Sequence, residues 1–309
     1  MHPSNPVPPS LAGRVVASHG RDATVVGEHG ERVHCRLQGR RLGVVCGDRV
    51  RWRAGSTEGG TGTIVEVLPR VRLLARISSR GDPEPVAANL TQLVAVVAPA
   101  PAPDFGLCDR YLAAAEWTGL DACVVANKCD LDGAAEALDG ALADYVRIGY
   151  PVLRTTKRLA GGVDALRERL AGGVSVLVGQ SGVGKSSLTN ALVPGVAAVV
   201  DEITRATESG RHTTTTAALY TLPSGGELID SPGVRDFSPP LPAPREVASG
   251  YREIAALAGE CRFRDCMHRR EPGCRVAAAA AEGAVSSRRL ESYRRLLTLA
   301  EEMASRVRR

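Results

Sequence analysis

The chain has 309 residues, 44% of them hydrophobic, and its 39 Lys+Arg against 34 Asp+Glu leave a net charge of +5. That length suits two or three domains, and no apolar run approaches the roughly 18 residues that a membrane span needs. The charge excess is compatible with a polyanionic partner without being evidence for one. Only three of the basic residues are lysines, Lys128, Lys157 and Lys185. In a chain where arginine is the default cation, the positions that keep lysine carry information.

The first ten residues, MHPSNPVPPS, are polar and proline-rich with no apolar signal region. They read as a disordered tail, with the cytoplasm as the default location. From residue 11 to about 74 short strand candidates follow one another: GRVVASHG, RDATVVGEHG, ERVHCRLQ, DRVRWRA and TGTIVEVLP. Five such strands at regular spacing predict a small all-β barrel of the OB type. Its arginines (Arg36, Arg40, Arg41, Arg49, Arg51 and Arg53) suit a solvated face and an RNA-binding surface equally.

Residues 75–240 alternate apolar runs with amphipathic stretches. The runs are LVAVVAPA, DACVVANK, PVLRTT, VSVLVGQ, AALYTL and ELIDSPG, and the helix candidates include Asp109–Thr118, Ala134–Val146 and Val163–Leu170. This is the pattern of an α/β domain whose mostly parallel sheet is covered on both faces. After Pro239, Pro240 and Pro242 a mostly helical, arginine-rich region occupies 241–309.

The chemistry sits in four places. Asn127-Lys128-Cys129-Asp130 ends the strand DACVVA, and a carboxylate at Asp130 can accept two hydrogen bonds from guanine that adenine cannot offer. Thr155-Thr156-Lys157, at the end of PVLR, matches the loop that backs the base. Gly179-Gln180-Ser181-Gly182-Val183-Gly184-Lys185-Ser186, followed by Ser187, fits the phosphate-binding pattern between a strand and a helix. Its backbone amides suit phosphate, Lys185 the β- and γ-phosphates, and Ser186 a Mg²⁺ ion. Asp230-Ser231-Pro232-Gly233 then supplies a second Mg²⁺ ligand, Asp230, and a γ-phosphate sensor, Gly233. Many GTPases place a water-positioning glutamine next, but here the residue is Val234, which implies slow unassisted turnover. Within Gly210–Thr216, Thr214 is assigned to the Mg²⁺ shell and His212 to orienting the attacking water. The base motifs precede the phosphate loop, so the order is circularly permuted. An ATP-dependent kinase would need a phospho-acceptor site that no motif supplies. Finally, Cys261, Cys266, His268 and Cys274 have the donor set and spacing of a structural Zn²⁺ site. Cys35, Cys46, Cys108, Cys123 and Cys129 read as free thiols.

Taken together, N-K-x-D before G-x-S-G-V-G-K-S, then G-x-H-T-T-T, D-S-P-G and C-x4-C-x-H-x5-C resemble one family, the ribosome small-subunit-dependent GTPase A (RsgA or YjeQ), over almost the whole chain. The resemblance implies an N-terminal OB domain, a permuted GTPase domain and a C-terminal zinc domain. It also implies binding to the 30S ribosomal subunit and its 16S rRNA, late 30S maturation, and GTP hydrolysis to GDP stimulated by that subunit. His212 matches the histidine proposed as catalytic in the family. The remaining expectations are a monomer with neither DNA nor membrane as partner.

Overall fold

A computed structural model describes residues 10–39, 43–55, 60–78, 82–196, 217–231 and 239–307. The first five strands are β1 (Leu11–His19), β2 (Asp22–Gly27), β3 (Arg32–Leu37), β4 (Arg49–Arg53) and β5 (Gly62–Val67). They pair in the order β1-β2-β3-β5-β4, and β4 returns to β1, which closes a five-stranded barrel. Side chains alternate as the pleat requires. On β4, Val50 and Trp52 point into the core while Arg49 and Arg51 are exposed. Val15, Val25, Cys35, Val50, Trp52 and Ile64 fill the interior.

A hairpin of β6 (Leu73–Ile77) and β7 (Pro83–Ala88) follows, with Leu74, Val86 and Ala87 packed into the central core. The sequence reading had no strands here. Pro83 and Pro85 argue against a central strand, and the two-stranded sheet has only edges, where proline is tolerated.

The central sheet contains β8 (Gln92–Val97), β9 (Asp121–Asn127), β10 (Val152–Thr155), β11 (Val174–Val178), β12 (Ala217–Thr221) and β13 (Glu227–Asp230). Its order is β10-β9-β8-β11-β13-β12, parallel except for antiparallel β12. β8 is buried at every residue, as a strand covered on both faces must be. The covering helices are α1 (Phe105–Thr118), α2 (Ala134–Arg147), α3 (Asp164–Leu170) and α4 (Lys185–Leu192). Ala17 and Ser18 of β1 pair with Ala218 and Ala217 of β12, so the barrel and the central sheet are hydrogen-bonded into one sheet.

α1 departs from the amphipathic expectation. The Asp104 side chain accepts from the Leu107 N–H at its start, and left-handed Gly119 ends it. Between these caps Tyr111, Leu112, Ala114 and Ala115 face the central core, whereas Ala113 lies in the core of the C-terminal region and Trp117 packs against it. One helix serves two cores, so both its faces are apolar. That second core is built on a 3-10 turn, Pro244–Gly250, and on α5 (Arg252–Ala258), α6 (Arg275–Ala281) and α7 (Ser287–Val307).

Candidate nucleotide site and metal centre

β8, β9, β10, β11 and β13 run parallel, so their C-terminal ends share one edge of the sheet. The loops after those ends carry the motifs, and strand-end loops on one edge converge whatever the order of the connections. Asn127 is the last residue of β9 and pairs with Thr155, the last of β10. Gly179 follows β11, and Asp230 ends β13.

The base-motif loop and the Gly-rich loop are bonded to each other directly. Asn127 Nδ2 donates to Val183 O at 2.9 Å, and Thr155 Oγ1 donates to Asn127 Oδ1 at 3.0 Å. Lys128, at φ 59°, donates from Nζ to Gly182 O and Ala100 O, each at 2.7 Å. Lys185 Nζ donates to Gly179 O at 2.6 Å and Gln180 O at 2.9 Å. Gln180 Oε1 accepts from the Asp104 N–H at 3.2 Å, which ties the loop to the start of α1. Two glycines are obligatory. A Cβ on Gly179 would stand 2.3 Å from Val96 O, and one on Gly184 would stand 2.4 Å from Asn127 Nδ2. The close approach of the two loops therefore depends on hydrogen at Gly184, and that of the Gly-rich loop to β8 on hydrogen at Gly179.

Asp130 stands over this junction. Thr156 Oγ1 donates to its Oδ1, and that bond above all holds its carboxyl below the usual range, with the nearby Arg158 guanidinium adding to the effect. Arg158 Nε lies 3.3 Å from Asp130 Oδ2. Asn127, Lys128, Asp130, Lys157, Gly184 and Ser187 are among the residues lining a cavity of about 250 Å³ beside the Gly-rich loop. All three lysines of the chain thus lie at this edge. A carboxylate at the wall of a cavity next to a Gly-rich turn has the acceptor chemistry that a base with paired N–H donors would need.

Ser181 belongs to the same turn, and Ser186 is the second residue of α4, after Lys185. Cys129 lies in the base loop, where its Sγ is 3.1 Å from Ala126 O. His212, Thr214 and Gly233 lie outside the described residues, as does Val234. Two neighbours of the site escaped the sequence reading. Arg158 was readable only as the residue after Lys157, and the Ala-Pro run at 98–103 had no motif to mark it, although Lys128 grips Ala100.

At the other end of the chain the Cys261, Cys266 and Cys274 sulfurs and a His268 ring nitrogen lie within 4.8 Å of one another. His268 Nδ1 is 3.5 Å from Cys261 Sγ and 3.6 Å from Cys274 Sγ. Three soft sulfurs and an imidazole converging this closely fit a tetrahedral Zn²⁺. The surroundings suit the same use. Burial lowers the His268 pKa and so favours the neutral ring that a metal takes. Cys274 caps α6, its Sγ receiving the Ala277 N–H at 3.4 Å. Glu271, which no motif flagged, receives the N–H groups of Met267, Arg269 and Arg270 at 2.7–3.0 Å. Burial opposes its ionisation, but these donors outweigh burial and keep the carboxyl below its ordinary range.

Three other thiols lie apart from this cluster. Cys35, Cys46 and Cys108 are buried among apolar side chains, which pushes each up to about 12. They are core residues, protonated and inert.

The model of the RsgA GTPase family matches residues 67–239. The small ribosomal subunit biogenesis GTPase RsgA of Azotobacter vinelandii is 46% identical over 94% of this chain and 85% of its own length. Its namesake from Pseudomonas aeruginosa is 44% identical with the same coverage. Among solved structures, YjeQ from Thermotoga maritima superposes with a TM-score of 0.73 at 31% identity, covering 94% of this chain and 99% of that one. YloQ, a circularly permuted GTPase, gives 0.71 at 25% identity, covering 95% and 96%. Likeness at this level, across the barrel, the permuted sheet and the helical end alike, means that this chain belongs to the RsgA GTPase family and is a GTP hydrolase.

Proposed function

We propose that this GTPase binds the small (30S) ribosomal subunit through contacts that include its 16S rRNA, hydrolyses GTP to GDP and phosphate when that subunit stimulates it, and acts late in the subunit's maturation. The observation that carries the nucleotide reading is the bonded junction of base loop and Gly-rich loop, with the Asp130 carboxylate on the wall of the cavity beside it. The ribosomal partner enters through the name that the Azotobacter and Pseudomonas relatives bear.

In this reading Asp130 accepts from guanine N1–H and the exocyclic amine. Adenine would leave that carboxylate unpaired, at a cost on the order of several kcal/mol. Asn127, Lys128, Cys129, Thr155, Thr156 and Lys157 frame the base. The amides of Gly179–Ser187 take the phosphates, with Lys185 on the β- and γ-phosphates. Ser186 and Asp230, a hydroxyl and a carboxylate, are hard oxygen donors at the same sheet edge and fit Mg²⁺, with Thr214 as a third ligand. The ion would neutralise charge on the phosphates. Gly233 senses the γ-phosphate and His212 orients the water, a task Val234 cannot perform. Cys261, Cys266, His268 and Cys274 hold one structural Zn²⁺, which would fix a loop too small for a core of its own. Among the described residues no helix is long and apolar enough to cross a membrane, and the protein is read as a cytoplasmic monomer that binds no DNA.

The test is hydrolysis of GTP and of ATP with and without purified 30S subunits. Stimulation confined to GTP and to 30S supports the whole reading. Equal use of ATP would refute the role of Asp130, and fast turnover without subunits would refute the argument from Val234. Equal binding of 30S by the GDP form and a GTP-analogue form would remove the switch between them.

A further inference from the structure

Several arginines of the C-terminal region are held by acids. Arg252 pairs with Glu116, Arg269 with Glu301, Arg275 with Glu260, Arg288 with Asp109, and Arg295 with Glu291. Three do otherwise. Arg262, Arg264 and Arg270 are exposed and, among the described residues, none is within ion-pair reach of a carboxylate. All three sit on the one loop that the Cys261–Cys274 donor cluster closes. That loop also carries an exposed aromatic ring, Phe263, which leaves 42% of its surface in solvent.

A single exposed phenylalanine is ordinary. This one is mounted. Cys261 and Cys266, which bracket it, are both donors of the cluster, and the Cys266 N–H closes a turn on Phe263 O at 3.2 Å. The Arg262 N–H is fixed to Gly273 O at 3.1 Å, and its guanidinium lies 5.4 Å from the Phe263 ring centre. A ring held on a cross-linked turn loses little further freedom when something stacks on it. Guanidinium groups without protein counter-ions beside such a ring match a ligand that offers a flat π-face and a phosphate together. Unpaired nucleotides offer both, whereas a base inside a duplex has no free face.

We propose that Phe263, with Arg262 and Arg264 beside it, is a stacking platform for an unpaired base of single-stranded or looped RNA. This deepens the reading of a ribosomal partner and is independent of the nucleotide site.

The test uses the full chain and two probes, a short fluorescent single-stranded RNA and the same sequence annealed as a duplex. Phe263→Ala is compared with the wild type and with Phe263→Tyr, while zinc content and basal GTP hydrolysis report that each variant is folded. Phe263→Ala should weaken single-strand binding about ten-fold or more, with most of the loss restored by tyrosine and little change for the duplex. Arg264→Gln should flatten the salt dependence by about 0.7 in d log K/d log[salt]. Equal single-strand affinity of Phe263→Ala and the wild type would overturn the platform. So would loss of 30S binding with unchanged RNA affinity, which would assign the ring to a protein contact. If the wild type bound RNA through Phe263 but failed to bind 30S subunits, the platform would stand and the partner reading would fall.

Discussion

Besides apolar packing at both joints, the barrel meets the central sheet through a main-chain ladder, whereas the C-terminal helices meet the central domain through buried ions. On the barrel side, β1 and β12 share a short antiparallel ladder, and the Ala88 N–H donates to Cys46 O at 2.9 Å. Asn89, at φ 57°, adds side-chain bonds from its Nδ2 to Gly47 O and from the Val71 N–H to its Oδ1. On the other side, fully buried Arg289 reaches Asp109 of α1 at 2.7 Å and both carboxylate oxygens of Glu253 on α5. Asp109 also receives Tyr145 OH and Arg288, each at 2.8 Å. A ladder accepts nearly any side chain, since only backbone groups take part. A buried ion network tolerates one geometry, because each ion has lost its water and must find every replacement partner in place. The first joint is defined by register, the second by particular side chains.

Two tryptophans make the comparison measurable, since the chain has only Trp52, in the barrel core, and Trp117, on α1 where the central and C-terminal cores meet. If the Cys261–Cys274 cluster holds zinc as proposed, removing it with a chelator should have the largest effect, on the order of 10 kcal/mol for a metal-dependent unit. The emission of Trp117 should shift in a Trp52→Phe background while that of Trp52 holds in a Trp117→Phe background. Parallel changes in both would mean that the two regions are not separable. Next comes Asp109→Ala, which leaves Arg289 short of a partner and should cost roughly 3–5 kcal/mol. In urea the Trp117 transition should move and the Trp52 transition should not. Replacing Asp109, Glu253 and Arg289 together by apolar residues of similar volume should recover much of that loss. Ile64→Val should lower the barrel's stability by about 1 kcal/mol, seen by Trp52 alone. The smallest effect belongs to Glu227→Gln, which breaks the ion pair with Arg14 across the barrel seam and should cost below about 1 kcal/mol. A larger loss would show that side chains, not the ladder, hold that seam.

Much of the fold could be read locally. Short runs punctuated by regularly spaced turn residues marked the barrel strands, continuous apolar runs marked β8, β9 and β11, and each nucleotide motif stood where a strand hands over to a loop. The β6–β7 hairpin was hidden by its prolines, and its pairing partner is defined only by contact with the central core. α1 was misread as amphipathic because a second apolar face looks like noise until a second core is present to receive it. Arg158 and Glu271 could not have been chosen. An arginine beside a lysine and a glutamate in a turn are everyday residues, and only Asp130 Oδ2 and three converging N–H groups distinguish them.

What the sequence determined by itself is the chemistry of the donors: a phosphate-type Gly-rich turn after a strand, a carboxylate in an N-K-x-D run at a strand end, and three sulfurs with an imidazole at metal spacing. These are short-range properties, encoded within a few residues and independent of the rest of the chain. The tertiary structure decided what those pieces touch. It brought Asn127 to Val183 although the motifs run in permuted order, and it joined the barrel to the central sheet through β12. It also paired Arg289 with an aspartate 180 residues away. Such contacts depend on the packing of whole elements, and no local pattern records them because neither partner is unusual until the other is beside it.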